Sequence, residues 1–327
     1  MRRRDFLAAA AGVAIWPLPT PAQQRRIPTI GYLDAGSLAE SRQENAVAFG
    51  QGLAETGYVP GRNVRVEYRE AKGNVALLPE LARDLVRRGV DVILAPGSGV
   101  AAKAAKAATS TIPIVFSNAG NPVQSGLVAS LSHPGGNITG VADFGIALSA
   151  KRLELTKQLI PSASVVAYLA VPSQQQAARE IANAQEGARS LGIEVFSLWA
   201  STVEEIDAAF ATLAQRRVDA LCLVTNLLFF SNRQRLIGLA ARYRLPTVYP
   251  FIQYTESGGL MSYGSSLTGR AHQAGVYVGL ILNGQKPGDL PIRRLTRFEL
   301  ALNMTTAKTL GLAVPANFLA LTDRVIG

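Results

Sequence analysis

Short β-branched runs alternate with helical patterns of three- and four-residue spacing from residue 27 onward, and this alternation suits parallel strands covered by helices. Residues 29–33 read as a strand. Residues 44–56 read as a helix, with Ala46, Phe49 and Leu53 on one face and Gly57 as its stop. Val64, Val66 and Tyr68 alternate with Arg65, Glu67 and Arg69, the pattern of a half-exposed edge strand. Residues 90–95 are apolar apart from Asp91 and read as a buried central strand, followed by an alanine-rich helix at 100–108 and a strand at 112–116. After the turn cluster Ser132-His133-Pro134-Gly135-Gly136-Asn137 and an extended piece at 138–142, the rhythm restarts. Helices are expected at 147–159, 174–191, 202–217 and 231–243, with strands at 164–171, 193–198, 220–224 and 247–249. Thr202 and Glu205 form a capping box for the third of these helices. A long helix at 267–282 ends at Asn283-Gly284, and the tail offers a strand at 298–302 and short helical patterns at 305–310 and 317–325. The expected class is α/β, with two doubly wound, Rossmann-like units and a tail that crosses between them.

The amino terminus reads as a leader. Arg3-Arg4-Asp5-Phe6-Leu7 precedes an apolar stretch that ends at Trp16 and is closed by Pro17, Pro19 and Pro21, with small residues at Thr20 and Ala22. A bilayer core needs about 20 apolar residues, so the segment suits cleavage near Ala22 better than anchoring. The arginine pair resembles a twin-arginine export signal and places the mature chain in the periplasm, outside the membrane itself. The sequence carries a net charge of +10, and its first 22 residues hold three Arg and one Asp, so the remainder carries +8. The basic residues are scattered and form no stripe interleaved with aromatics, which argues against nucleic acid as a partner. Cys222 is the single cysteine, so no intrachain disulfide can form. His133 and His272 lie far apart without neighbouring Cys, so no metal or other cofactor is expected.

No nucleophile and base stand together. Gly97-Ser98-Gly99 lacks the flanking spacing of a nucleophile elbow, and the first strand is not followed by a dinucleotide-binding Gly-x-Gly-x-x-Gly. An exported hydrolase would be the competing class, and it would need a reactive cluster. Instead the strands deliver small polar loops at their carboxyl ends, where open α/β sheets hold ligands. Asp34, Gly36, Ser37, Gly97, Ser98, Ser117, Asn118 and Asn121 come from the first unit, and Ser173, Thr225 and Asn226 from the second. Ser98 opens a helix whose N–H groups suit an anion such as a carboxylate, and it also suits a plain helix cap. Tyr32, Phe116, Tyr249, Phe251 and Tyr263 could stack on an apolar or aromatic ligand, and they could equally be core.

Several ordered blocks carry a family resemblance. Gly52-Leu53-Ala54-Glu55-Thr56-Gly57-Tyr58, Ile112-Pro113-Ile114-Val115-Phe116, Pro134-Gly135-Gly136-Asn137-Ile138-Thr139-Gly140-Val141, Lys151-Arg152-Leu153-Glu154-Leu155, Gly258-Gly259-Leu260-Met261-Ser262-Tyr263-Gly264 and Thr306-Ala307-Lys308-Thr309-Leu310 are similar to blocks of ABC transporter substrate-binding proteins of the TrpX type. The resemblance implies a periplasmic binding protein of type 1: two lobes joined by a hinge with three crossings and a solute enclosed between them. It also implies delivery to a membrane permease driven by a separate ATPase, with no chemistry and no cofactor. On that frame residues 23–143 and 264–292 are expected in the first lobe, and residues 144–263 and 293–327 in the second. A monomer is expected. Members bind aromatic amino acids. This chain departs from them with Asn121 and Asn226 where Asp is common, and the loss of two carboxylates weakens a subsite for a ligand ammonium group; it also has Ile252 where Arg is common, so the members' amino-acid specificity does not carry over.

If the Ser98 hydroxyl bonds the solute, Ser98→Ala weakens affinity by roughly 1–2 kcal/mol in titration calorimetry. Unchanged affinity removes Ser98 from the site.

Overall fold

The computed structural model describes residues 26–36, 42–97, 99–117, 120–142, 148–172, 175–296 and 298–327, so the expected leader lies outside the described residues. The first sheet contains β1 (Thr29–Asp34), β2 (Arg65–Glu70), β3 (Val92–Ala95), β4 (Ile114–Ser117), β5 (Ile138–Ala142) and β11 (Arg293–Arg294). Its order is β11-β5-β4-β3-β1-β2, and every pairing is parallel. β3 and β4 are buried at all positions because helices cover both faces. Ile93 and Ala95 pack with Leu85, Ala101 and Ala105 on one side, while Val92 and Leu94 meet Phe49, Leu53 and Val278 on the other. Hence the continuous apolar run in the sequence. β2 takes the edge, as its alternation requires.

The second sheet has seven strands in the order β13-β12-β10-β9-β8-β6-β7. These are β6 (Val165–Ala170), β7 (Glu194–Trp199), β8 (Ala220–Leu223), β9 (Thr247–Tyr249), β10 (Met261–Ser265), β12 (Phe298–Asn303) and β13 (Arg324–Ile326). β10 and β12 pair antiparallel, and the other pairings are parallel. On one face lie α4 (Leu148–Leu159) and α5 (Gln175–Leu191). On the other lie α6 (Val203–Arg216), opened by Thr202 accepting from the Glu205 N–H at 3.2 Å, and α8 (Arg233–Arg242).

α1 (Arg42–Ala54) and α10 (Leu267–Leu282) decide how the chain is threaded. Their backbones approach so closely that a Cβ on Gly52 would lie 2.0 Å from the His272 carbonyl oxygen, and one on Gly275 would lie 2.2 Å from that of Phe49. This contact brings α10 back to the first sheet, beside β3 and β4. The chain therefore passes from the first sheet to the second between Ala142 and Leu148, returns between Ser265 and Leu267, and leaves again between Arg294 and Phe298. The architecture is two α/β lobes joined by three crossings, the type 1 periplasmic binding protein fold. Sheet pairing carries the first lobe through Arg293 and Arg294, which bond Val141 and Ala142, past the expected change of lobe at 292. β10 stays in the second sheet through Ser265, past the expected boundary at 263.

Some local expectations change. The helix expected at 231–243 is α8, and a separate short α7 (Leu227–Ser231), which ends at Asn232, precedes it. A short α9 (Ile252–Glu256) follows β9. The expected helical tail at 317–325 is α12 (Ala316–Leu321) followed by strand β13, whose backbone is drawn into pairing with β12.

Gly52→Ala should destabilise the protein by about 1–3 kcal/mol through overpacking of α1 on α10. Gly50→Ala, on the same helix with nothing within 4 Å of its Cβ position, should be neutral or stabilise by up to ~1 kcal/mol. Urea unfolding of the two variants checks the contrast.

Candidate functional site

The order of strands in each sheet creates a place where neighbouring loops diverge. In the first sheet β1 and β3 are adjacent and their following helices lie on opposite faces, the switch point at which such sheets bind ligands. Asp34 ends β1, and its Oδ1 accepts the Gly36 N–H at 2.9 Å, which fixes the turn. The same oxygen lies 3.7 Å from where a Gly97 Cβ would stand, so the loops after β1 and β3 lie side by side. Gly97 has φ +77°, where a side chain would be strained. In the second sheet β6 and β8 hold the equivalent position. Asn226 follows β8 and caps α7, its Oδ1 accepting the Leu228 N–H at 2.7 Å.

The two lobes touch across this region. Leu227 packs with the first-lobe cluster that includes Leu33 and Ala35, and its Cδ1 lies 3.1 Å from where a Gly36 Cβ would stand. Arg270, one turn into α10, is 2% exposed, and its guanidinium carbon lies 5.2 Å from the ring centre of Phe251 in the second lobe. Phe251 meets Phe230 edge-on at 5.9 Å, and Arg233 covers Phe230 at 5.3 Å. Arg179 of α5 donates to Gln124 of the loop after β4. These contacts hold the lobes together at the loops expected to meet a ligand.

Not every expected residue sits in that gap. Asp34, Gly36, Gly97, Thr225 and Asn226 lie in the facing loops. Asn121 is half-buried, and its Oδ1 accepts the Gln124 N–H at 3.1 Å, which ties it to the loop that reaches Arg179. Ser117 is buried as the last residue of β4. The tyrosines belong to packing. Tyr32 lies against Tyr68 at 5.1 Å and borders the cluster of Ile30, Phe49 and Leu53. Tyr249 is buried, stacks on Tyr254 at 4.7 Å, and burial pushes its phenol well above the usual range. Tyr263 rests against Phe298 at 6.1 Å beside the α4 and α5 core, and burial raises its phenol as well. Ser37, Ser98, Asn118 and Ser173 lie outside the described residues.

Sequence reasoning missed Leu227, Phe230, Arg233 and Arg270. Arg270 stands beside Thr268, His272 and Gln273 in the first half of α10, where a charge reads as a solvent-facing residue; packing against Phe251 of the other lobe buries it. Among the described residues no group of three or more His, Cys, Asp and Glu is placed to hold a metal ion. Burial pushes the Cys222 thiol up to about 11, so it is a poor nucleophile. His272 Nε2 lies 2.8 Å from Glu55 Oε1 between α1 and α10, and His133 contacts Ser132 on the surface, so neither histidine joins the facing loops.

Two apposed α/β lobes with polar loops in the gap define a class of solute-binding proteins, and the sequence comparison makes the family explicit. This chain belongs to the ABC transporter substrate binding protein family, whose model matches residues 39–326. It is 29% identical over 263 residues to a tyrosine-binding protein of Clostridioides difficile strain R20291, covering 80% of this chain and 75% of that one. Among solved structures, a conserved domain protein of Vibrio cholerae superposes with a TM-score of 0.83 at 26% identity, covering 92% of this chain and all of the other. A Streptococcus pneumonia protein in complex with L-Trp also superposes at 0.83, with 24% identity and coverage of 91% and 99%, which establishes the shared fold. No described helix is long and apolar enough to cross a membrane.

Gly36→Leu would drive a side chain into Leu227 and hold the lobes apart. Solute affinity should fall at least tenfold, about 1.4 kcal/mol, while the unfolding midpoint of the solute-free protein stays the same; calorimetry and a thermal melt read the two quantities.

Proposed function

We propose that this chain is the periplasmic receptor of an ABC importer, exported through the twin-arginine route, that encloses a small organic solute between its lobes and presents it to a permease powered by a separate ATPase. The solute is an amino acid or an aromatic carboxylate, and the protein performs no chemistry on it. The observation that carries this reading is the meeting of the two switch-point loops, Asp34 to Gly36 in one lobe and Asn226 to Leu227 in the other. Closure is then a hinge motion whose balance a solute shifts by binding the closed arrangement preferentially.

The chemistry of those loops favours a solute with an acceptor group facing the second lobe. The Asn226 side-chain oxygen is engaged by the Leu228 N–H, so what Asn226 offers a solute is its Nδ2 hydrogens. Asp34 brings a carboxylate from the first lobe and offers a place for a cationic or hydrogen-bond-donating group. A zwitterionic amino acid satisfies both ends. The tyrosine named for the C. difficile relative and the L-Trp held by the S. pneumonia protein make aromatic amino acids the first solutes to try.

Thermal melts of the purified protein with L-tryptophan, L-tyrosine, other amino acids and 3-phenylpropionate test the reading. A true solute at one hundred times its Kd should add about 2.7 kcal/mol of stability and reduce the radius of gyration in small-angle scattering. Asn226→Asp should keep the helix cap yet weaken a carboxylate solute at least tenfold. No shift with any amino acid or aromatic acid would overturn the proposed solute class.

A further inference from the structure

Where the lobes meet, the second lobe presents an aromatic pair with a cation on each ring. Phe230 lies in α7, the short helix that Asn226 caps, and Phe251 is the N-cap of α9. These elements follow the neighbouring strands β8 and β9, which brings the two rings edge to face at 5.9 Å. The Arg233 guanidinium carbon lies 5.3 Å from the centre of the Phe230 ring, and that of Arg270 lies 5.2 Å from the centre of the Phe251 ring.

Arg270 reaches this pair from the side of the first lobe, because α10 packs on α1. The first turn of α10 is fixed without its side chain: Ser266 Oγ accepts the Gly269 N–H at 3.1 Å, and the Ser266 carbonyl accepts the Arg270 N–H at 3.1 Å. The position is an expensive one for a cation. Arg270 is buried, and it stands at the end of a helix whose dipole favours anions. Stacking on a phenyl ring offsets part of that penalty. A guanidinium carries five N–H donors in a planar fork that matches a carboxylate, so contacts with the protein need not exhaust them. Together with the Asn226 Nδ2 hydrogens, the groups gathered here are donors beside aromatic rings, and they suit a solute group that only accepts.

We propose that Arg270 is the residue that selects the solute by charge: its fork takes a carboxylate, Arg233 adds a second cation, and Phe230 and Phe251 border the apolar part of the guest. The protein then prefers aromatic acids to their neutral counterparts. This inference rests on the receptor reading given above and narrows its solute class. It differs from a merely structural part for Arg270, in which the side chain only covers Phe251, because that part gives no reason to distinguish an acid from an amide of the same shape.

Titration calorimetry with matched pairs tests it, using 3-phenylpropionate against 3-phenylpropionamide and L-tryptophan against L-tryptophanamide. In the parent protein the acid of any skeleton that binds should be held at least about tenfold more tightly than its amide, since bonds to a charged group are the stronger ones. Arg270→Met should bring acid and amide within about twofold of each other by weakening the acid alone. Arg233→Met should narrow the ratio by a smaller factor, and an unchanged ratio removes Arg233 from the site. If Arg270→Met weakens both members of a pair alike and keeps the parent ratio, the side chain is structural and the proposal is overturned. A parent protein that holds the amide as tightly as the acid overturns it too. Should Arg270→Met fail to fold, Arg270→Gln takes its place under the same criteria. Binding without a preference for the acid counts against this inference alone, whereas binding by no member of either pair overturns the proposed solute class and this inference with it.

Discussion

The close packing of α10 on α1 is the constraint from which the rest of this molecule follows. Gly52, Gly275 and Gly279 remove the side chains that would keep the two helices apart; a Cβ on Gly279 would lie 1.7 Å from the Thr56 hydroxyl oxygen. Because α10 follows β10 of the second sheet in sequence yet packs against the first, the polypeptide must return across the gap and then leave again to finish the second sheet with β12 and β13. Three crossings resist twisting between lobes more than a single linker would, while still allowing a bend. A clamp that closes reproducibly on a small solute needs that restriction, since interfaces between lobes are otherwise free to shift.

The facing loops are prepared before any solute arrives. Asp34, Asn121 and Asn226 each spend one side-chain oxygen on a nearby backbone N–H, at 2.9, 3.1 and 2.7 Å. These bonds fix the loop conformations ahead of any guest, and a preformed loop lowers the entropic cost of binding. The contacts between lobes are of a different kind. Leu227 against the Gly36 loop is apolar and short-range, and Arg270 over Phe251 combines charge with an aromatic face.

Much of the architecture was legible from periodicity. The unbroken run of β3 and the alternation of β2 announced a covered central strand and an exposed edge, and both positions follow from how many faces of the strand meet helices. The loops that carry Asp34, Gly97 and Asn226 were legible as well, because a parallel sheet delivers every such loop to the same edge. The aromatics were not. Tyr32, Tyr249 and Tyr263 stand near strand ends in the sequence, and a strand end borders the core as closely as it borders the gap; Tyr32 lies tilted against Tyr68, Tyr249 stacks on Tyr254 in the core, and Tyr263 contacts Phe298.

The sequence by itself determined the α/β class, the division into two successive units and the family, since these rest on local periodicity and on ordered blocks of residues. Tertiary structure alone decided that Arg152 and Arg270 are buried, that Leu227 belongs to the gap and that Arg293 and Arg294 extend the first sheet. Burial of a charged side chain depends on what a distant segment places over it. No pattern within a helix or strand encodes that arrangement, because it exists only once the lobes have been brought together by chain segments far apart in sequence.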